Sequence, residues 1–254
     1  MKDFSLLSRV EQQAFPGAKV SYAEPPSTVN TDVVLMTTAV VGWIAGVFAP
    51  GAEGNDLCIV YFYGEEDNIR SSELFVQSLR NLGPSVVSFD YRGYGASHGE
   101  PSETNFYADA KLIMDWLAEQ HPKLRPVVCG KSLGSAVATH IATTHAVNGL
   151  ILLSPITNMI DVVKHIFPPD EVIIEDAIPF RFDCLSRIAD VKCPIFIAHR
   201  DRDDPDSPSM SGMLEKAAVA PVTCVDMGMV HNDDLAAPDR ELLLITLSEF
   251  LASL

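Results

Sequence analysis

The sequence predicts an α/β chain: a doubly wound, mostly parallel sheet with a small cap segment, built as one domain over residues 1–254. Three observations predict it. Short apolar runs rich in β-branched residues alternate with helical patterns, the arrangement that places helices on both faces of a parallel sheet. One strand–helix junction reads Gly130-Lys131-Ser132-Leu133-Gly134, with small residues on its helical side. The 254 residues, 47% of them hydrophobic, are enough for one sizeable core.

The elements follow in order. Residues 1–30 read as a lead-in, broken by Pro16-Gly17 and Pro25-Pro26. Val33 to Ala52 contains no charged residue, which meets the length of a membrane span. Thr37, Thr38, Gly42, Gly46 and Pro50 argue instead for two buried strands joined around Val40 to Gly42. Leu57 to Tyr63 is a continuous apolar strand. Asn68 is expected to cap a helix whose Leu74, Phe75 and Leu79 share a buried face, stopped by Gly83-Pro84. Ser85 to Asp90 is a strand, and Ser102 opens a helix carrying Phe106, Ala110, Ile113, Met114 and Leu117 at helical spacing. The junction strand and its helix come next, then a strand at Gly149 to Ser154. Residues 155–190 form the cap segment, irregular with short helical pieces. Pro194 to His199 is a strand followed by an acidic loop, and Ser211 to Ala218 a helix. Val222 to Asp226 is the last strand. The closing helix starts at Pro238 or Asp239 and buries Leu242, Leu243, Leu247, Phe250 and Leu251.

The junction is the G-x-S-x-G turn in the context that makes it meaningful, a strand before and a helix after. The turn is so tight that residues two before and two after Ser132 must lack side chains, or strand and helix collide. It lifts the serine hydroxyl out of the sheet and leaves the Leu133 amide at a helix N-terminus, where a developing oxyanion is stabilised. A serine hydroxyl needs a histidine base, and the base needs a carboxylate to hold its tautomer. With this turn, acid and base follow in that order on loops after later strands. His231 is the histidine on the loop after the last strand. The loop after residues 194–199 offers Asp201, Asp203, Asp204 and Asp206; Asp203 is the chosen acid, with Asp204 the alternative. A second oxyanion donor is expected after strand 57–63, where Gly64 permits a tight turn and the Glu65 amide is the candidate.

Composition narrows the partners. A net charge of −16 excludes nucleic-acid phosphate and anionic membrane as general partners. The five cysteines are scattered with no C-x-x-C, which fits reduced thiols in a cytoplasmic setting better than a disulfide framework or a zinc site. The N-terminal residues show no apolar core of a signal peptide. No metal or organic cofactor is expected.

At these residues the chain resembles the α/β-hydrolase superfamily, and within it the compact serine hydrolases that include α/β-hydrolase-domain depalmitoylases. The matching stretches are Phe62 to Asn68, Phe89 to Ser97, Gly99 to Glu103, Gly130 to Ser135, Arg181 to Ile188, Cys193 to His199 and His231 to Asp233, within roughly residues 30 to 254. The resemblance implies the α/β-hydrolase fold, Ser132 as nucleophile, His231 as base and Asp203 as acid, and it assigns Asp90 and Arg92 to a structural turn. Tyr63 stands where the family has a histidine. Glu65 and Glu66 bring negative charge to the place where the oxyanion forms, which slows catalysis unless those side chains turn outward.

The expected function is a serine hydrolase cleaving carboxylic esters or thioesters through an acyl-enzyme. Ser132, Asp203 and His231 form the triad, and the Glu65 and Leu133 amides form the oxyanion hole. Tyr63, Gly64, Ile156, Met159 and Ile160 are expected at the substrate, with Val163, Ile166 and Phe167 extending an open, shallow acyl site beneath the small cap. A peptidase or amidase of the same fold, and a catalytically weak binding protein, are the alternatives. The substrate is a small or acylated molecule, and stable membrane insertion is not expected.

Overall fold

A computed structural model describes residues 14–16, 32–38, 42–167, 175–199, 209–227 and 237–254. The apolar runs pair into one sheet of eight strands: β1 (Asp32–Thr38), β2 (Gly42–Ala49), β3 (Leu57–Phe62), β4 (Ser85–Phe89), β5 (Arg125–Lys131), β6 (Gly149–Leu153), β7 (Ile195–His199) and β8 (Val222–Asp226). Their spatial order is β1-β2-β4-β3-β5-β6-β7-β8. Strand β2 runs antiparallel to both its neighbours, and the remaining pairings are parallel. Every residue of β3, β4 and β6 is buried, as expected of strands covered on both faces.

Six helices accompany the sheet among the described residues: α1 (Glu73–Arg80), α2 (Glu103–Gln120), α3 (Gly134–Thr144), α4 (Met159–Ile166), α5 (Met210–Ala217) and α6 (Ala237–Ala252). Ser102 caps α2 as expected, its side chain accepting from the Asn105 amide. Asn158 caps α4 in the same way, through the Asp161 amide. The small residues of α3 allow it to lie directly on the sheet, burying Gly134 through Thr139, Ile141 and Ala142.

The uncharged stretch 33–52 falls on a strand pair, with β1 against β2 from Asp32↔Phe48 to Thr38↔Gly42. Residues 39–41 between them lie outside the described residues. No described helix is long and apolar enough to cross a membrane. The cap begins with α4 and ends in single 3-10 turns at Glu175–Ala177 and Ile188–Asp190. It is tied back to α2 by Glu103, whose carboxylate accepts from the amides of Arg181 (2.7 Å) and Phe182 (2.8 Å).

Three details differ from the sequence expectations. Helix α1 begins after Ser72, which makes no side-chain capping bond, and not after Asn68. Asn68 instead closes a local turn: its side-chain oxygen accepts from the Ser71 amide, and the Asn68 amide donates to the Ser71 hydroxyl. Leu74 is 70% exposed, because the buried face of α1 runs through Val76, Ser78 and Leu79. Leu242 is 45% exposed, while Leu243, Leu247, Phe250 and Leu251 are buried as expected.

The sheet order positions the site. The chain leaves β3 to form β4 on one side and returns to form β5 on the other. The carboxyl ends of β3 and β5 therefore border one crevice, the place where doubly wound sheets bind ligands. The register Phe62↔Gly130 brings Tyr63-Gly64-Glu65 alongside Lys131-Ser132.

Candidate active site

Strand β5 ends in the tight turn read from the sequence. Ser132 has φ 48°, a left-handed conformation that a non-glycine residue adopts only when its surroundings impose it. The imposing contacts are visible. The Ser132 amide donates to the Leu153 carbonyl at 3.0 Å, and the Ser132 carbonyl accepts from the Ser135 amide at 2.9 Å and hydroxyl at 2.5 Å. The glycines on either side are there for space. A methyl group on Gly130 would run into the backbone of Gly134 and Ser135, and one on Gly134 into the carbonyls of Phe62 and Tyr63.

Leu133 is the cap residue of α3. Its amide therefore belongs to the N-terminal end of the helix, which carries partial positive charge. The loop after β3 closes on this point from the other side. A methyl group on Gly64 would sit 3.3 Å from the Ser132 Cβ, so the loop passes directly against the serine. Lys131 and Asp67 pair at 3.1 Å, linking the strand end to that loop.

Two tyrosines that sequence reasoning left unassigned hold the loop's main chain. The Tyr91 hydroxyl donates to the Tyr63 carbonyl (3.0 Å) and the Tyr94 hydroxyl to the Glu65 carbonyl (3.1 Å). Both phenols are fully buried, and burial pushes their ionisation well above the ordinary range, so both remain donors. Their signal in the sequence was the Tyr91-Arg92-Gly93-Tyr94-Gly95 turn. Its other side chains are structural too: Asp90 accepts from Ile69 and Ala96 amides, and Arg92 pairs with Asp109 at 2.5 Å.

Tyr63 is corrected from substrate contact to frame. Its side chain is fully buried, donates to the Asp90 carboxyl at 3.1 Å and accepts from the Tyr91 amide at 3.0 Å. The strand alternation that presents Gly64 to the serine turns Tyr63 into the core.

Glu65 also departs from expectation. Its side chain turns inward, and one carboxylate oxygen accepts from the Leu133 amide at 3.4 Å. Glu66, by contrast, is exposed. The acid thus stands on the donor that the sequence assigned to the oxyanion.

A shallow cleft of about 40 Å³ lies over Ser132, Leu133 and Glu65. Its walls are Ala14, Ile156, Met159, Val162, Val163 and Ile166. Of the residues expected at the substrate, Ile156, Met159, Val163 and Ile166 line this cleft. Ile160 does not line it: the face of α4 towards the cleft runs through 159, 162, 163 and 166, and position 160 lies about 100° round the helix. Phe167 follows the helix as its C-cap and is buried away from the cleft wall. Ala14 was not foreseen. It is held by its neighbour Phe15, whose ring packs edge-on against Phe106, Phe180 and Phe182 at 5.7, 5.4 and 6.1 Å.

His231, Asp203 and Asp204 lie outside the described residues. Among those described, no three His, Cys, Asp or Glu side chains gather as a metal-binding group. The five cysteines are free thiols. Burial pushes Cys58 up to about 12 and Cys193 and Cys224 to about 11, which leaves none of these three as a ready thiolate.

Residues 55–179 match the family model described as serine aminopeptidase, S33. An uncharacterised protein of Mycobacterium tuberculosis is 34% identical over 189 residues, covering 73% of this chain and 66% of the relative. A lysophosphatidylserine lipase of Xenopus tropicalis is 29% identical over 233 residues, covering 80% of this chain and 58% of that one. The chain thus spans no more than about two thirds of the curated relatives it matches. Among solved structures, an esterase of Pyrococcus furiosus superposes with a TM-score of 0.66 at 18% identity, covering 91% of this chain and 98% of the esterase.

Proposed function

The chain belongs to the α/β-hydrolase superfamily, and on that premise we propose that it is a serine hydrolase cleaving carboxylic esters or thioesters through an acyl-enzyme. The observation that carries the reading is Ser132, left-handed at φ 48° between a buried strand and a helix N-terminus, at the floor of an apolar cleft.

The chemistry follows from that position. The acyl chain of the substrate lies along the apolar wall of α4, and its carbonyl carbon approaches the Ser132 hydroxyl. His231 takes the hydroxyl proton as the Oγ–carbon bond forms, and Asp203 holds the imidazole and stabilises its charged form. The carbonyl oxygen becomes an oxyanion held by the amides of Leu133 and Glu65. The helix end at Leu133 and the Tyr94 bond to the Glu65 carbonyl support this assignment. His231 then protonates the leaving alcohol or thiol, and water repeats the sequence on the acyl-enzyme. The free cysteines fit a reducing, cytoplasmic setting for this reaction.

The matched family model's description favours one second reading, hydrolysis of an aminoacyl amide by the same triad. Nitrophenyl esters and short aminoacyl-arylamides offered side by side separate the two. A fluorophosphonate probe tests the common premise: it is expected to label the wild type and not Ser132→Ala. Folded wild-type protein that takes no label refutes the hydrolase reading and leaves a binding protein.

A further inference from the structure

Glu65 is the residue whose placement the proposed reaction leaves unexplained. Its amide is offered to the oxyanion, yet its own carboxylate occupies the neighbouring donor, 3.4 Å from the Leu133 nitrogen. That spot is the one the substrate's carbonyl oxygen must take. The side chain is half-buried at the cleft floor, and the cleft walls are aliphatic. Of its acidic neighbours along the loop, Glu66 is exposed and Asp67 already pairs with Lys131. Among the described residues Glu65 itself enters no ion pair.

We infer that Glu65 is a specificity-determining residue that selects substrates carrying a positive charge close to the scissile carbonyl. An uncharged ester must push the carboxylate off the Leu133 amide and leave it in an apolar cleft with no counter-charge among the described residues, which is costly. An ester with a cation a few bond lengths from the carbonyl draws the carboxylate to itself as its own carbonyl oxygen takes the vacated amide. The pair then forms in a partly desolvated place, where opposite charges interact more strongly than in water. Glu65 thus acts through ground-state exchange at the amide, and neither the proton path nor the bond changes at Ser132 are altered. A carboxylate aimed at the amide also disfavours anionic acyl groups, which it repels.

The inference rests on Ser132 as nucleophile, and the experiment separates the two. Two nitrophenyl esters of matched shape serve as probes: that of trimethylammoniobutanoate, and that of its uncharged carbon isostere, dimethylhexanoate. Wild type, Glu65→Gln and Glu65→Ala are compared by kcat/KM for each ester and by fluorophosphonate labelling. Glutamine keeps an acceptor for the Leu133 amide and removes only the charge. Wild type is expected to favour the cationic ester at least about tenfold, roughly one ion pair's worth in a partly screened site. In Glu65→Gln the ratio is expected to fall to within about twofold, and in Glu65→Ala the uncharged ester is expected to react faster than in wild type. Labelled protein with the same ratio in wild type and Glu65→Gln overturns the charge filter alone. Absence of label in wild type and both variants overturns the hydrolase reading and the filter with it.

Discussion

Replacing Tyr63 by phenylalanine tests whether this side chain belongs to the frame or to the substrate. The change keeps the ring and removes one hydroxyl that serves two partners, donating to Asp90 at 3.1 Å and accepting from the Tyr91 amide at 3.0 Å. Both partners are fully buried, so no water replaces the oxygen at once. Asp90 retains the Ile69 and Ala96 amides. The Tyr91 amide loses its acceptor, and a buried donor left unsatisfied costs about 1–3 kcal/mol. With the lost bond to Asp90 the total is about 2–4 kcal/mol, which for a chain of this size lowers Tm by roughly 5–15 °C. Thermal unfolding followed by circular dichroism measures the shift. Fluorophosphonate labelling, taken at a temperature where both proteins are folded, is expected to agree within about twofold. A variant with unchanged Tm and labelling slowed tenfold or more would refute the reasoning and return Tyr63 to the substrate site.

Two further predictions concern other parts of the fold. Asp109 is buried beside Arg92, and burial outweighs that partner to push its carboxyl up to about 6. A folded-state value above the unfolded one stabilises fully below about pH 4, and that contribution is lost as pH rises through about 6. Asp109→Asn is therefore expected to remove up to ~3 kcal/mol of the stability change across that window, read from urea midpoints at pH 4 and pH 7. An unchanged pH slope would reject the shift. Val162 is a half-buried wall of the cleft. Val162→Trp is expected to slow long-chain nitrophenyl esters at least about tenfold while changing nitrophenyl acetate less than about threefold; equal losses on both would show that the chain does not lie along α4.

What the sequence revealed, and what it withheld, divides along a physical line. The Ser132 turn was legible because its constraint is local: two glycines are demanded by backbone approaching backbone. The sheet was legible because strands buried on both faces have no polar alternation to confuse the reading. Helical phase was less so. Leu74 to Val76 and Leu242 to Ile245 are unbroken apolar runs, and consecutive apolar residues do not say which side of a helix faces inward. Asn68 offered a side chain suited equally to a helix cap and to the turn it makes. The roles of Tyr63, Tyr91 and Tyr94 depend on a carboxyl and carbonyls brought from a neighbouring strand, and no local pattern announces those. Ile160 was expected at the substrate together with Met159, but the turn of the helix separates the two. The inward turn of Glu65 is a choice of rotamer made by its surroundings.

The Phe15 anchor bears on the order in which the protein completes itself. Phe15 precedes its partners Phe106, Phe180 and Phe182 in the chain by about 90 residues or more, and two of them lie within the cap. Chains are made at about 5–20 residues per second, slow beside local folding. The strand and helix that carry Ser132 are therefore made when Phe15 has only the first of its three ring partners, Phe106. The Ala14 wall of the cleft takes its final place only once residue 182 has been added, with β7, β8 and α6 still to come.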